Sequence, residues 1–184
     1  MRFALPAEPL RRFVTTYYRT DVVCSVKVGC LEDWLHPEWA NVRFLGAVEA
    51  QSVIGPGPLA PCPAFTVTGP TSCAVRFRLG SGHSWGIGLL PLGWARLFAA
   101  GASDYADRFV DGAADPVFAA FAPLAEAIAQ SSGDHAEELA LIEAHMAKLL
   151  GGPALPGGAA ILEVHAALVD PDVLSVSISP PVWG

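Results

Sequence analysis

Five histidines (His36, His83, His135, His145 and His165) and four cysteines (Cys24, Cys30, Cys62 and Cys73) are the residues of this chain best suited to metal or nucleophilic chemistry. A mononuclear metal site draws on about three convergent ligands, commonly with two histidines at a short fixed spacing. No His-x-His or His-x-x-x-His pair occurs, so no metal site is expected. Nucleophilic catalysis has no Gly-x-Ser-x-Gly elbow to start from, and no cysteine has a neighbouring histidine in sequence. Gly86-Ile87-Gly88 with Gly93 is glycine-rich, but it sits in a strand pattern and does not join a strand to a helix. It reads as a place of close backbone approach, not as a nucleotide loop.

A set suited to binding remains. Trp34, His36, Trp39, Arg43, His83 and Trp85 combine broad aromatic faces with a few polar groups, the composition of a small-molecule pocket. Alternation puts His83 on one face with Trp85, Ile87 and Leu89, where a histidine is as readily a satisfied core residue. Arg76 and Arg78 alternate against Val75, Phe77 and Leu79 and read as a solvated face.

The elements that must hold these residues divide near residue 91. Before it, Leu10 to Thr20, Asp21 to Gly29, Asn41 to Glu49, Ala64 to Thr68, Ser72 to Leu79 and His83 to Leu90 read as strands. Gly55-Pro56-Gly57-Pro58, Gly69-Pro70 and Gly80-Ser81-Gly82 separate them. Many short strands closed by turns predict an antiparallel barrel or sandwich over residues 1–91. Residues 92–150 follow a helical period. Asp115-Pro116 caps a helix that runs to about Gln130, and Asp134 with Glu137 forms a capping-box pattern for a second that ends at Gly151-Gly152. Leu139, Ile142, Met146 and Leu149 make an apolar stripe along the second helix. The stripe serves either packing on Val117, Phe118, Phe121, Leu124 and Ile128 or a dimer seam, and a hairpin with two apolar faces could do both. Residues 151–158 have linker composition, and Ala159 to Val169 makes one further helix within 159–184.

Charge narrows the partners. The 184 residues carry a net charge of −7. The deficit is concentrated after residue 100, where two basic residues face twelve acidic ones. An acidic surface cannot supply the phosphate neutralisation behind most nucleic-acid affinity. Hydrophobic residues make up 52% of the chain and its mean hydropathy is +0.41. No stretch is long, apolar and uncharged enough to span a bilayer, and the first residues hold no apolar leader. Reduced cysteines in the cytoplasm are the expectation.

Two blocks carry a resemblance. One is Asp33-Trp34-Leu35-His36-Pro37-Glu38-Trp39-Ala40-Asn41-Val42-Arg43-Phe44. The other runs from Gly69-Pro70-Thr71 through Val75-Arg76-Phe77 and Ser84-Trp85-Gly86-Ile87-Gly88-Leu89-Leu90-Pro91-Leu92-Gly93-Trp94-Ala95-Arg96 to Ser103-Asp104-Tyr105-Ala106-Asp107-Arg108. With them the chain resembles the N-terminal effector-binding and dimerisation domain of AraC-type bacterial transcriptional regulators. The resemblance implies an α+β fold, a cupin-like antiparallel β-barrel followed by a helical hairpin used for dimerisation. It further implies a small-molecule effector, no cofactor, a homodimer, and DNA contact only through a C-terminal helix-turn-helix domain. The twelve residues 173–184 are too few for that domain, so the expectation is its sensor part with one residual helix. A truncated interaction protein pairing with an intact regulator is the alternative, and a cupin-type enzyme is a third.

Overall fold

The computed structural model describes residues 1–25 and 30–172. Val26 and Val28 of the second expected strand, and the 173–184 tail, lie outside the described residues. The chain forms two compact units, Met1–Gly152 and Pro153–Gly184.

The first unit is α+β, with ten strands among the described residues, in two antiparallel sheets. The larger is ordered β1 (Arg2–Ala4), β2 (Val14–Val22), β9 (Gly82–Leu89), β4 (Asn41–Phe44), β7 (Phe65–Thr68) and β10 (Phe109–Asp111). The smaller is ordered β3 (Leu31–Leu35), β8 (Val75–Leu79), β5 (Ala50–Ile54) and β6 (Ala60–Pro61). Of the barrel or sandwich expected, the structure shows two antiparallel sheets and no closed barrel, with no ladder joining the sheets among the described residues. Closure needs edge strands long enough to pair with one another. Of the four edges, β1, β10 and β6 hold only three, three and two residues, and only β3 reaches five.

Alternation assigns the two faces of the large sheet different jobs. Tyr17, Val42, Val67, Trp85, Ile87 and Leu89 face one side and are buried. Thr16, Tyr18, Thr20, Asn41, Arg43 and Thr66 face the other. A bulge at Thr15 sets this phase, because Val14 pairs with Leu89 and Thr16 with Gly88. The extra residue puts Val14 and Tyr17 into the core and leaves Thr16, Tyr18 and Thr20 on the opposite face.

The helices cover the apolar face. Pro91 occupies the first turn of α1 (Pro91–Leu97), and Trp94 anchors an aromatic cluster with Phe98, Tyr105 and Phe118 at centroid distances of 4.7 to 6.1 Å. The helix expected from residue 115 to 130 is interrupted. Asp115 caps a 3₁₀ segment, Pro116–Phe121, by accepting from the Val117 N–H at 3.0 Å, and α2 follows as Ala122–Gln130. Pro123 has no N–H to continue an α-helical ladder, so a new first turn begins there. Asp134 caps α3 (His135–Leu150) through the Ala136 and Glu137 N–H groups at 3.0 and 2.9 Å. The reciprocal half of the capping box does not form, since the Glu137 carboxylate accepts from the Ser132 hydroxyl at 2.8 Å. α3 buries Glu138, Ile142, Met146 and Leu150, whereas Leu139 and Leu149 are half-buried. Ile142 and Met146 are thus spent inside the protomer. The second unit contains α4 (Gly158–Val169), which starts after Gly157 in the left-handed region.

Candidate ligand cavity

Between the two sheets lies a half-open cavity of about 680 Å³ with walls of opposite character. The small sheet presents Leu31 and Leu35 from β3, Val75, Phe77 and Leu79 from β8, and Ala50 from β5, interrupted by Asp33 and Ser52. The large sheet presents hydroxyl, amide and guanidinium groups: Thr16, Tyr18 and Thr20 from β2, Ser84 from β9, and Asn41 and Arg43 from β4. A volume of this size suits a drug-sized molecule or metabolite.

Glycines on β9 let the polar wall close on itself. A Cβ at Gly86 would lie 2.0 Å from the Tyr18 ring, and one at Gly88 would lie 2.2 Å from Thr15 Oγ1. With no side chain at Gly86, the Tyr18 ring lies across β9, and its hydroxyl donates to Asn41 Oδ1 on β4 at 3.1 Å. Asn41 Nδ2 donates in turn to the Trp39 carbonyl at 2.8 Å. Burial pushes the Tyr18 phenol above its ordinary range, against the opposing effect of Arg43.

Arg43, in the middle of this wall, is the cation that lines the cavity among the described residues. Its guanidinium donates to Thr68 Oγ1 at 3.0 Å and pairs with the Glu38 carboxylate. Burial alone would lower its pKa, but Tyr18 and Glu38 outweigh this and raise it. Glu38 belongs to the loop between β3 and β4 and keeps 27% of its side chain exposed. On the other side Ser52 Oγ and Cys62 Sγ lie 2.8 Å apart, and burial raises the Cys62 thiol above its usual range. A raised thiol is a poor nucleophile. All four cysteines are free.

The six residues chosen from the sequence separate into three places. Trp39 and Arg43 line the cavity, with Trp39 at its exposed edge. Trp34 points away from it on β3, 5.9 Å from the Arg76 guanidinium, and His36 is exposed on the following loop. Arg76 and Arg78 share that outer face and meet Glu32, Arg78 through Nε and Nη2 at 3.1 and 2.8 Å. His83 and Trp85 lie on the helix-facing side and converge on Glu138 of α3.

Glu138 is fully buried and its carboxylate accepts from four side chains. Arg19 Nη1 and Trp85 Nε1 each stand 2.7 Å from Oε2, and His83 Nε2 stands 3.1 Å from Oε1, which also meets the Ser131 hydroxyl. Arg19 continues to the Gly133 carbonyl and to Asp21 Oδ1, both at 2.8 Å. His135 stacks on Trp85 with centroids 5.1 Å apart. Burial opposes ionisation of Glu138, but hydrogen bonds from Ser131, Trp85 and His83 outweigh it and hold the carboxyl below its ordinary range.

Reading the sequence did not single out Tyr18, Thr20, Ser84, Glu38 or Glu138. For the first two the signal was present, because an aromatic, β-branched strand carrying Thr16, Tyr18 and Thr20 on one face cannot be lining an apolar core there. Glu138 gave none: a glutamate in the first turn of a helix is ordinary surface chemistry until a sheet covers it.

Among the described residues, no group of three or more His, Cys, Asp or Glu side chains is placed to hold a metal ion. None of the helices among them is long and apolar enough to cross a membrane. No family model, curated protein or solved structure matches the chain.

Proposed function

We propose that this chain is the small-molecule-sensing module of an AraC-type transcriptional regulator, cupin-like in plan, which controls transcription through a helix-turn-helix domain joined to it. The observation that carries the sensing part is the inter-sheet cavity, large enough for a metabolite and presenting the Arg43 guanidinium on a polar wall. The two sequence blocks support the family. Their residues build this architecture: Asn41 and Arg43 line the cavity, while Trp94 and Tyr105 anchor the aromatic cluster beneath α1. The module works by linkage, with effector favouring one arrangement of sheets and helices over another. It acts in the cytoplasm, without a cofactor and without catalysis.

Pairing with a second copy, which the resemblance implies, would draw on the half-exposed Leu139 and Leu149, since Ile142 and Met146 are occupied within the protomer.

A thermal-shift screen over chemically diverse metabolites tests the sensing role. At least one compound should raise the melting temperature, and Leu79→Trp, which fills the cavity from the apolar wall, should abolish that rise. A screen with no stabilising compound in any class would refute the reading. Sequence-specific, salt-sensitive DNA binding by residues 1–184 alone would refute the division of labour.

A further inference from the structure

Sandwich interiors are normally apolar on both facing sheets, but here only the small sheet is mainly so. The buried polar face of the large sheet includes two hydroxyls that the protein itself leaves unanswered. Thr20 and Ser84 sit directly opposite each other in the β2–β9 register. They are only 8% and 9% exposed, and both line the cavity. Among the described residues, neither side chain has a hydrogen-bond partner, whereas Thr16, Tyr18, Asn41, Arg43 and Thr66 on the same wall all do. Neither hydroxyl is sealed off from the cavity space, so a ligand that displaces the water there must itself supply the hydrogen bond or leave the group without one. A pair of them facing a cavity is what a hydroxyl-bearing ligand would satisfy.

Across the cavity, Leu31, Leu35, Val75, Phe77 and Leu79 form a mainly hydrocarbon surface spread over two strands, broken by the Asp33 carboxylate between Leu31 and Leu35. A small polyol would satisfy the hydroxyl pair but leave that surface wet. A simple hydrocarbon amphiphile would cover the surface but leave Thr20 and Ser84 orphaned. Resting on the sensing role proposed above, we infer that the effector is a rigid facial amphiphile: a fused-ring hydrocarbon skeleton with hydroxyl groups on one face. Its hydroxylated face lies on Thr20 and Ser84 and its hydrocarbon face on the β3–β8 wall. Thr20 and Ser84 are then the residues that select for hydroxylation, because a site built to bond a hydroxyl rejects the analogue that lacks it.

The test uses three probes with the full chain, each below any micelle-forming concentration: cholate, its hydroxyl-free parent cholanoate, and methyl glucoside. Cholate and cholanoate share skeleton and carboxylate, so their ratio isolates the hydroxyl face. By calorimetry, cholate should bind about tenfold more tightly than cholanoate, and methyl glucoside should not bind. Thr20→Val with Ser84→Ala should bring the cholate to cholanoate ratio close to one while cholanoate affinity holds or rises. Phe77→Ser should weaken both steroids together. Equal binding of the two steroids by the native chain, or binding of methyl glucoside alone, would overturn the ligand class and leave the sensing role standing. No binding by any of the three overturns the ligand class too, and the sensing role then falls only if the metabolite screen also fails.

Discussion

The large sheet carries an arginine–glutamate pair on each face, one buried and one partly open to solvent. On the helix side, Arg19 and Glu138 retain 8% and 0% side-chain exposure. All their partners are fixed by β2, β9, α3 and the turn before it. On the cavity side, Arg43 and Glu38 retain 12% and 27% exposure, and Glu38 rides on a loop beside open space. A charge pair this deeply buried is costly to open, since breaking it leaves a buried charge with fewer partners. A pair with one member able to reach water can be opened by a ligand at modest cost. The contrast divides the sheet into a bolted face and an adaptable one.

The largest effect expected from this contrast is at Glu138. Replacing it with alanine leaves the Trp85 indole N–H without a partner and Arg19 with only Asp21 and the Gly133 carbonyl, and should cost about 3 kcal/mol in chemical denaturation. A loss below about 1 kcal/mol would mean that the helices do not depend on this bolt. Acid should expose the same group. Glu138 is held below its ordinary pKa in the folded state, so the unfolded chain takes up the proton first. Its stabilisation is complete above the unfolded value of about 4.3 and is lost as pH falls through the lower folded value. Denaturation measured against pH should therefore show a steeper acid limb for the native chain than for Glu138→Gln.

Gly86→Ala comes next, because the new methyl would meet the Tyr18 ring at 2.0 Å. The ring must move and its bond to Asn41 must break, for about 1–3 kcal/mol, with a change in near-ultraviolet circular dichroism from the displaced tyrosine. Arg43→Met should cost less, about 1 kcal/mol, because Glu38 can turn to water. Equal losses from Arg43→Met and Glu138→Ala would erase the distinction between the faces. The smallest effect is expected at Trp34, which is 57% exposed on the outer surface of β3. Trp34→Ala should change stability by no more than about 0.5 kcal/mol and leave ligand binding intact.

Much of this architecture was legible in the residues. The period-two strands at Ala64 to Thr68, Ser72 to Leu79 and His83 to Leu90, the Asp134 cap and the glycine stops follow from local chemistry, because backbone geometry and hydrogen-bond capping are decided within a few residues. Gly86 and Gly88 announced a close approach, although not to which side chain. Short or late pieces such as β1, β6 and β10 were illegible, since two or three residues carry no period and become strands only when a neighbour offers a free ladder. His83 and Trp85 show the same limit at the site. Alternation correctly put them on one face with Ile87 and Leu89, but nothing local says whether that face meets a cavity or a helix.

What the sequence by itself determined was therefore the set of faces: which side chains stand together along each strand and helix, and where each element stops. Only the tertiary structure decided what those faces meet. The Thr15 bulge and the stacking of two open sheets turned a polar face inward to make a cavity wall, and the docking of α3 converted a surface glutamate into a buried hub. Both outcomes depend on contacts between residues more than fifty positions apart, and no local propensity encodes a partner at that range.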